Sequence, residues 1–212
     1  AFQTANSALN SADVFSATTA TSSGSAFSAT TSGSVVAGKY SINVTQLAQA
    51  QTLTSSAQSS NSSALGDSAA SRTLTIKLAD GSSKDIALTS DQTSLTGMRD
   101  AINKANAGVS ASIIKSNEGE YRLSLTATKT GEANAVTAVS VSGDDTLQAV
   151  VGFDKNDTAG NNKLSVSVAA QNAQLTVNNI PITSSSNSIS DALEGITLNL
   201  TATTSGSQTL TV

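Results

Sequence analysis

Cysteine, histidine and tryptophan are absent from the 212-residue sequence, and proline occurs once, at Pro181. Without cysteine there is no disulfide framework, and without cysteine or histidine no zinc or haem site of the usual kind. Without an imidazole, Ser-His-Asp and Cys-His catalytic arrangements are excluded. The near absence of proline argues against a polyproline stalk. Aromatic residues make up 3% of the chain, so any core must be thin and aliphatic. Charged residues are also scarce, at 12%, and the net charge of −4 argues against nucleic acid as a partner. The apolar runs are short and the amino end is not charged-then-apolar. Neither a signal peptide nor a membrane-spanning helix is therefore expected.

What the chain does have is serine, threonine and a period of two. Tyr40, Ile42 and Val44 alternate with Ser41, Asn43 and Thr45. The same pattern runs through Leu74-Ile76-Leu78, Tyr121-Leu123-Leu125, Leu164-Val166-Val168, Leu175-Val177, Ile196-Leu198-Leu200 and Leu210-Val212. It predicts half-buried strands whose wet face is mostly threonine, a β-branched residue that favours extended backbone. Gly24, Gly33, Gly38, Gly81, Gly119 and Gly206 mark turns between them.

Helices are few. Residues 94–106 place Leu95, Met98, Ile102 and Ala105 on one face, with Ser94 as N-cap, Gly108 as stop and an Asp100–Lys104 pair on the wet side. A shorter helix is predicted over 144–151, capped by Asp144, and a turn or two opening at Ser188 with Asp191 as capping box. Phe2, Ala5 and Leu9 recur at helical spacing, which suggests the tail of a further helix over residues 1–10.

Residues 55–71 and 154–163 are polar, small and aperiodic, and read as linkers. They bracket a segment in which residues 73–153 carry 16 of the 26 charged side chains. Such a shift at both linkers suggests one domain inserted into a loop of another; a single continuous sandwich is the alternative. The expected fold class is mainly β with a few short helices, a β-rich α+β chain of two nested domains. On this reading residues 72–153 fold alone and residues 1–66 do not.

Carboxylates are the only common acid–base groups left. Asp144 and Asp145 read as helix capping, and Glu118 and Glu120 as solvated charge at a hairpin tip. Asp154-x-Asn156-x-Thr158 has the wrong glycine position for a calcium loop and Ser165 where a bidentate glutamate belongs. Ser82-Ser83-Lys84 follows the turn Asp80-Gly81, where exposed hydroxyls and an ammonium are ordinary. Sequons at Asn43, Asn61, Asn156 and Asn199 matter only in a glycosylating host. No catalytic, cofactor-binding or metal residue is assigned, and no interface residue either.

Three segments resemble one family. Residues 37–53 (AGKYSINVTQLAQAQTL) resemble the amino-terminal region of flagellar filament capping proteins, the hook-associated protein 2 or FliD family. Residues 94–131 are similar to the flagellin/hook IN motif: a helix ending in AIN, a glycine turn, a strand, a hairpin and a strand ending in TG. Residues 169–200 resemble the segment that opens the family's carboxyl half.

The resemblance implies residues 1–12 as a remnant of a helical D1 domain, 13–66 with 164–212 as a β domain D2, and 67–163 as an inserted D3 holding the IN motif. Terminal coiled-coil segments would lie outside this sequence. It implies no enzyme activity and no cofactor. The role expected is structural: an oligomeric plate at the filament tip that promotes folding and insertion of exported flagellin and prevents its loss. Partners would be further copies of the chain, flagellin subunits and, for the full-length protein, an export chaperone, with no nucleic acid and no membrane insertion. The location would be extracellular, reached by the flagellar type III route. Some family members are also associated with host adhesion. A surface adhesin and another hook-associated or flagellin-like filament component are the alternatives.

Overall fold

The computed structural model describes residues 19–33, 35–68 and 71–212. The helix expected over residues 1–10, and the D1 remnant with it, lies outside them. Among the described residues the strands in chain order are β1 (Thr21–Ser22), β2 (Phe27–Thr31), β3 (Lys39–Gln46), β4 (Thr52–Ser55), β5 (Arg72–Leu78), β6 (Ser83–Leu88), β7 (Val109–Lys115), β8 (Tyr121–Ala127), β9 (Val136–Ser142), β10 (Phe153–Asp154), β11 (Leu164–Val168), β12 (Ala173–Val177), β13 (Ile180–Ser184), β14 (Ser188–Leu193), β15 (Ile196–Leu200) and β16 (Gln208–Thr211). Two α-helices join them, α1 (Leu95–Ala105) and α2 (Asp145–Val151). The fold is mostly β, as the alternating pattern predicts.

The chain divides into two compact units: the residues up to Leu47 with Ala173–Val212, and Ala48–Asn172. In the first, antiparallel pairing orders a five-stranded sheet β1-β16-β3-β12-β13 and a three-stranded sheet β14-β15-β2. Both turn aliphatics inward: Ile42, Val44, Leu175, Val177 and Leu210 from the larger, Ile189, Ile196, Leu198 and Leu200 from the smaller. The β12–β13 hairpin turns at Asn178 and Asn179, both at positive φ (49° and 68°). This backbone suits the twist of a two-residue hairpin, and asparagine tolerates it better than most residues. Asn178 also fixes the turn to β3: its amide N–H donates to the Ser41 carbonyl and its side-chain oxygen accepts from the Ser41 N–H, each at 2.8 Å.

The second unit holds two four-stranded sheets, β10-β9-β5-β6 and β11-β4-β8-β7. One core cluster runs through both sheets and both helices, from Leu53 on β4 to Leu164 on β11. Helix α1 buries Leu95, Met98, Ala101 and Ile102. It starts as the sequence predicts, with the Ser94 hydroxyl accepting from the Gly97 N–H at 3.1 Å. It ends earlier than predicted, because Asn106 takes the left-handed conformation (φ 51°) and Gly108 belongs to the turn beyond. Asp100 pairs with Arg99 at 2.7 Å rather than with Lys104.

Several expectations need correction. The strands at 52–55 and 164–168, assigned from sequence to the first domain, pair with each other, the former also with β8, and belong to the second unit. The chain crosses between units at 47–48 and 172–173, so the segments 55–71 and 154–163 are not inter-domain linkers. The described part of the first lies on the second unit: the Asn61 carbonyl accepts from the N–H and hydroxyl of Thr96 in the first turn of α1, and Leu65 packs on the core. The second is a loop knotted by the Asp157 carboxylate, which accepts from the N–H groups of Ala159, Asn161 and Asn162. Ser188–Leu193 is a strand, not a helix: Ile189 is buried and its run pairs with β15. Val166 is half exposed although its pattern places it inward, because β11 is an edge strand with a register shift after that residue.

These corrections change which fragment should fold. Residues 72–153 lack Leu53 and Leu164, whose burial is worth about 1.5–3 kcal/mol each, along with two strands of one sheet. We expect residues 48–172 to unfold cooperatively in circular dichroism melts and residues 72–153 to show no cooperative transition. Equal midpoints for the two fragments would contradict this assignment.

Candidate functional site

The candidate chemical groups are dispersed. Glu118 and Glu120 sit at the β7–β8 turn, where the Ser116 N–H donates to the Glu120 carbonyl at 2.8 Å. Both lie at or near the surface, and Glu120 approaches Arg122 only to 4.0 Å. Asp154 accepts from the Asn156 N–H at 2.8 Å, so the carboxylates of the 154–163 loop, Asp154 and Asp157, serve its own backbone. Desolvation would raise Asp157, but the amides of Ala159, Asn161 and Asn162 together hold it below the usual carboxylate range. Asp80 is likewise held low, first by the Ser82 hydroxyl and then by the Ser82 N–H. Asp91 is held low by the Thr89 hydroxyl. Each of these shifts favours the ionised form that an exposed turn already prefers.

Ser82, Ser83 and Lys84 line an open cleft of about 290 Å³ together with Lys129, over a floor that includes Ile76 and Leu78. Ser83 and Lys84 are consecutive on β6 and so project to opposite faces. Neither serine hydrogen-bonds to the lysine amine, and the hydroxyls that do meet carboxylates, such as Thr75 on Asp85 at 2.7 Å, lie at exposed positions.

The interior charge lies elsewhere. Arg72 starts β5 and has the same strand parity as the buried Leu74 and Ile76, so its guanidinium points inward. It meets Asp144 at 2.9 Å, with the two side chains 1% and 0% exposed. The same arginine donates to the carbonyls of Asp67 (2.9 Å) and Thr89 (3.4 Å). Asp144 caps α2 through the Leu147 N–H at 2.8 Å and accepts from the Asp67 N–H at 3.1 Å. The capping role is the one expected from sequence; the ion pair was not read there, although an arginine in phase with inward residues is its signal. Thus Asp144 is consumed by structure and is no free acid.

Surface chemistry is mostly neutral. Along the outer face of the sheet containing β4, hydroxyls face one another across strands: Thr52 with Thr126 at 3.1 Å and Thr54 with Ser167 at 2.9 Å. Exposed large apolar residues are scattered, with Val36 and Ile180 in the first unit and Ile114 and Val166 in the second. Such a surface offers broad, weakly polar contact area.

Comparison with known proteins agrees with the segments singled out in the sequence. Family models match at residues 1–51 (flagellar hook-associated protein 2 N-terminus), 73–129 (flagellin hook IN motif) and 170–212 (flagellar hook-associated protein 2 C-terminus). A crystal structure of the D2–D3 domains of the Escherichia coli flagellar cap protein FliD superimposes with a TM-score of 0.85 at 54% identity, covering 92% of this chain and 98% of that one. The chain belongs to the flagellar hook-associated protein 2 (FliD) family. The corresponding D2–D3 structure from Serratia marcescens gives a TM-score of 0.83 at 39% identity, covering 89% of this chain and 100% of that one. Among curated relatives, flagellar hook-associated protein 2 of E. coli K12 is 56% identical over 90% of this chain and 40% of its own length. The chain therefore spans about two-fifths of that relative. The FliD-family matches give the adhesion expectation no support.

The buried pair makes a measurable prediction. Asp144→Ala leaves Arg72 buried without its carboxylate, which should cost about 3–5 kcal/mol in urea unfolding of residues 48–172. Arg72→Met combined with Asp144→Leu removes both charges and should cost less than the single change. A single variant within about 1 kcal/mol of the parent would remove the pair from its structural role.

Proposed function

We propose that this chain is the D2–D3 part of a filament cap subunit, with residues 13–47 and 173–212 forming D2 and 48–172 forming D3. The observation that carries this reading is the near-complete coverage of the E. coli D2–D3 structure at 54% identity. The family models fit the same division, since the amino-terminal one ends at 51 and the carboxyl-terminal one begins at 170, near the crossings at 47–48 and 172–173, while the IN motif falls within the second unit.

In this role the chain is a passive building block without a reaction centre. Copies of it associate laterally into a plate at the distal end of the filament, outside the cell. There the plate retains exported flagellin and favours its folding and insertion. The full-length protein leaves the cell by the flagellar type III route with an export chaperone. Charge sorts the two units: all but four of the charged side chains, Asp13, Lys39, Asp191 and Glu194, belong to 48–172. Neighbour contacts that must hold and still shift are better made by neutral Ser, Thr and Ala surfaces, whose desolvation costs little, than by buried ion pairs. The first unit therefore supplies neighbour packing and the second faces solvent.

A chimera tests this directly. The D2–D3 segment of the E. coli cap protein is replaced by residues 19–212 and expressed in a strain lacking its own cap. Restored swimming with full-length filaments is the expected result. Normal secretion of the chimera with flagellin shed as monomer into the medium would refute the reading. Within the same chimera, Lys77→Glu and Glu118→Lys should leave swimming unchanged; a loss equal to that of the cap-deleted strain would reverse the assignment of the two units.

A further inference from the structure

Among the described residues strand β7 is an edge strand: it pairs with β8 and has no strand on its other side. An edge of this kind presents unpaired N–H and C=O groups and is a template for another chain. Its register with β8 determines which groups are at risk. Gly108 and Ser116 bond back toward β8 and the turn, the Gly108 carbonyl accepting from Thr128 and the Ser116 N–H donating to Glu120. By alternation the backbone groups of Ala111, Ile113 and Lys115 point away from β8.

At Ala111 a side chain stands in for the missing strand. Asn103, on the last full turn of α1, accepts from the Ala111 N–H through Oδ1 at 2.7 Å and donates from Nδ2 to the Ala111 carbonyl at 2.9 Å. A carboxamide sets an N–H donor beside an acceptor oxygen in the spacing of a peptide group, so it can satisfy both backbone groups of one residue. Among common side chains only Asn and Gln can do this, and Asn reaches it from a helix packed beside the strand. Its neighbour Ile102 is buried at 1% exposure, which anchors the helix at the same point. Beyond Ala111 the edge is at the surface, with Ile114 51% exposed.

We propose that Asn103 closes the β7 edge and that, without it, this edge pairs with the same edge of a second copy of the chain. The Ile-Asn pair of the motif then has a physical division of labour: isoleucine docks the helix, and asparagine occupies the hydrogen-bonding groups of the strand against which the helix lies. This inference stands apart from the cap reading, which assigns neighbour packing to the first unit, whereas the β7 edge belongs to 48–172.

Three measurements on the 212-residue chain decide it. In the unaltered protein, hydrogen exchange at the Ala111 amide should be at least about tenfold slower than at the outward Ile113 amide. Asn103→Ala should stay folded by circular dichroism yet self-associate at a concentration at least about tenfold below the parent in sedimentation velocity, with the Ile113 amide becoming protected in the associated form. Asn103→Asp keeps the acceptor for Ala111 but sets a carboxylate beside its carbonyl. It should lower the melting temperature without promoting association, because charge at an edge blocks pairing. Equal exchange at Ala111 and Ile113, an unfolded Asn103→Ala variant, association no stronger than the parent's, or association of Asn103→Asp matching that of Asn103→Ala would each overturn the proposal.

Discussion

Long-range antiparallel pairing is the constraint on which both units rest. Few aromatics are available, so buried area must come from aliphatics on alternating strands, and those strands bury one face only when a second layer covers them. The partners are far apart in sequence. β3 lies between β12 and β16, β2 joins β15, and β4 lies between β8 and β11. Neither the first fifty residues nor the last forty hold a complete sheet set of the first unit. The loop-closure entropy of such pairings grows only slowly with separation, so an entire folded unit can sit between two strands of another.

Within that frame the two units treat polarity differently. The first is almost free of charge and ties its strands with neutral bonds, as where Asn178 bonds both backbone groups of Ser41. The second concentrates charge and buries one arginine–aspartate pair among the carbonyls of Asp67 and Thr89. A buried pair of this kind contributes little net stability against an apolar replacement of the same shape, but it leaves few alternative arrangements for the groups around it. Here those groups are the start of β5, the cap of α2 and the chain at Asp67, three elements that no hydrophobic repeat would align.

Much of this was legible in the residues. Alternation at Ile42-Val44, Leu74-Ile76 and Ile196-Leu198-Leu200 marked inward faces correctly, because a half-buried strand leaves a period of two whatever it pairs with. Ser94 and Asp144 marked helix starts, because capping is local chemistry. Pairing partners were not legible: Thr52–Ser55 and Leu164–Val168 share the composition of first-unit strands, and nothing local reports that the first pairs with β8 and the second with the first. Ser188-Ile189-Ser190-Asp191 fits a capping box and an alternating strand equally well, and burial of Ile189 against β15 decides for the strand. Asn103 sits in phase with no stripe, since its role is set by the position of Ala111 across the turn and not by helical periodicity.

The ends of each unit are tied together where the chain passes through them. In the second unit Gln49 and Gln171 exchange backbone hydrogen bonds at its base, at 2.9 and 3.2 Å. In the first, β1 and β16 lie side by side with Thr21 opposite Thr211. A pull applied at Thr21 and Thr211 therefore loads β1 against β16 and unzips that short ladder first. Tension does not reach the 48–172 unit until the first has come apart, so the nested arrangement shields the more elaborate unit from mechanical load.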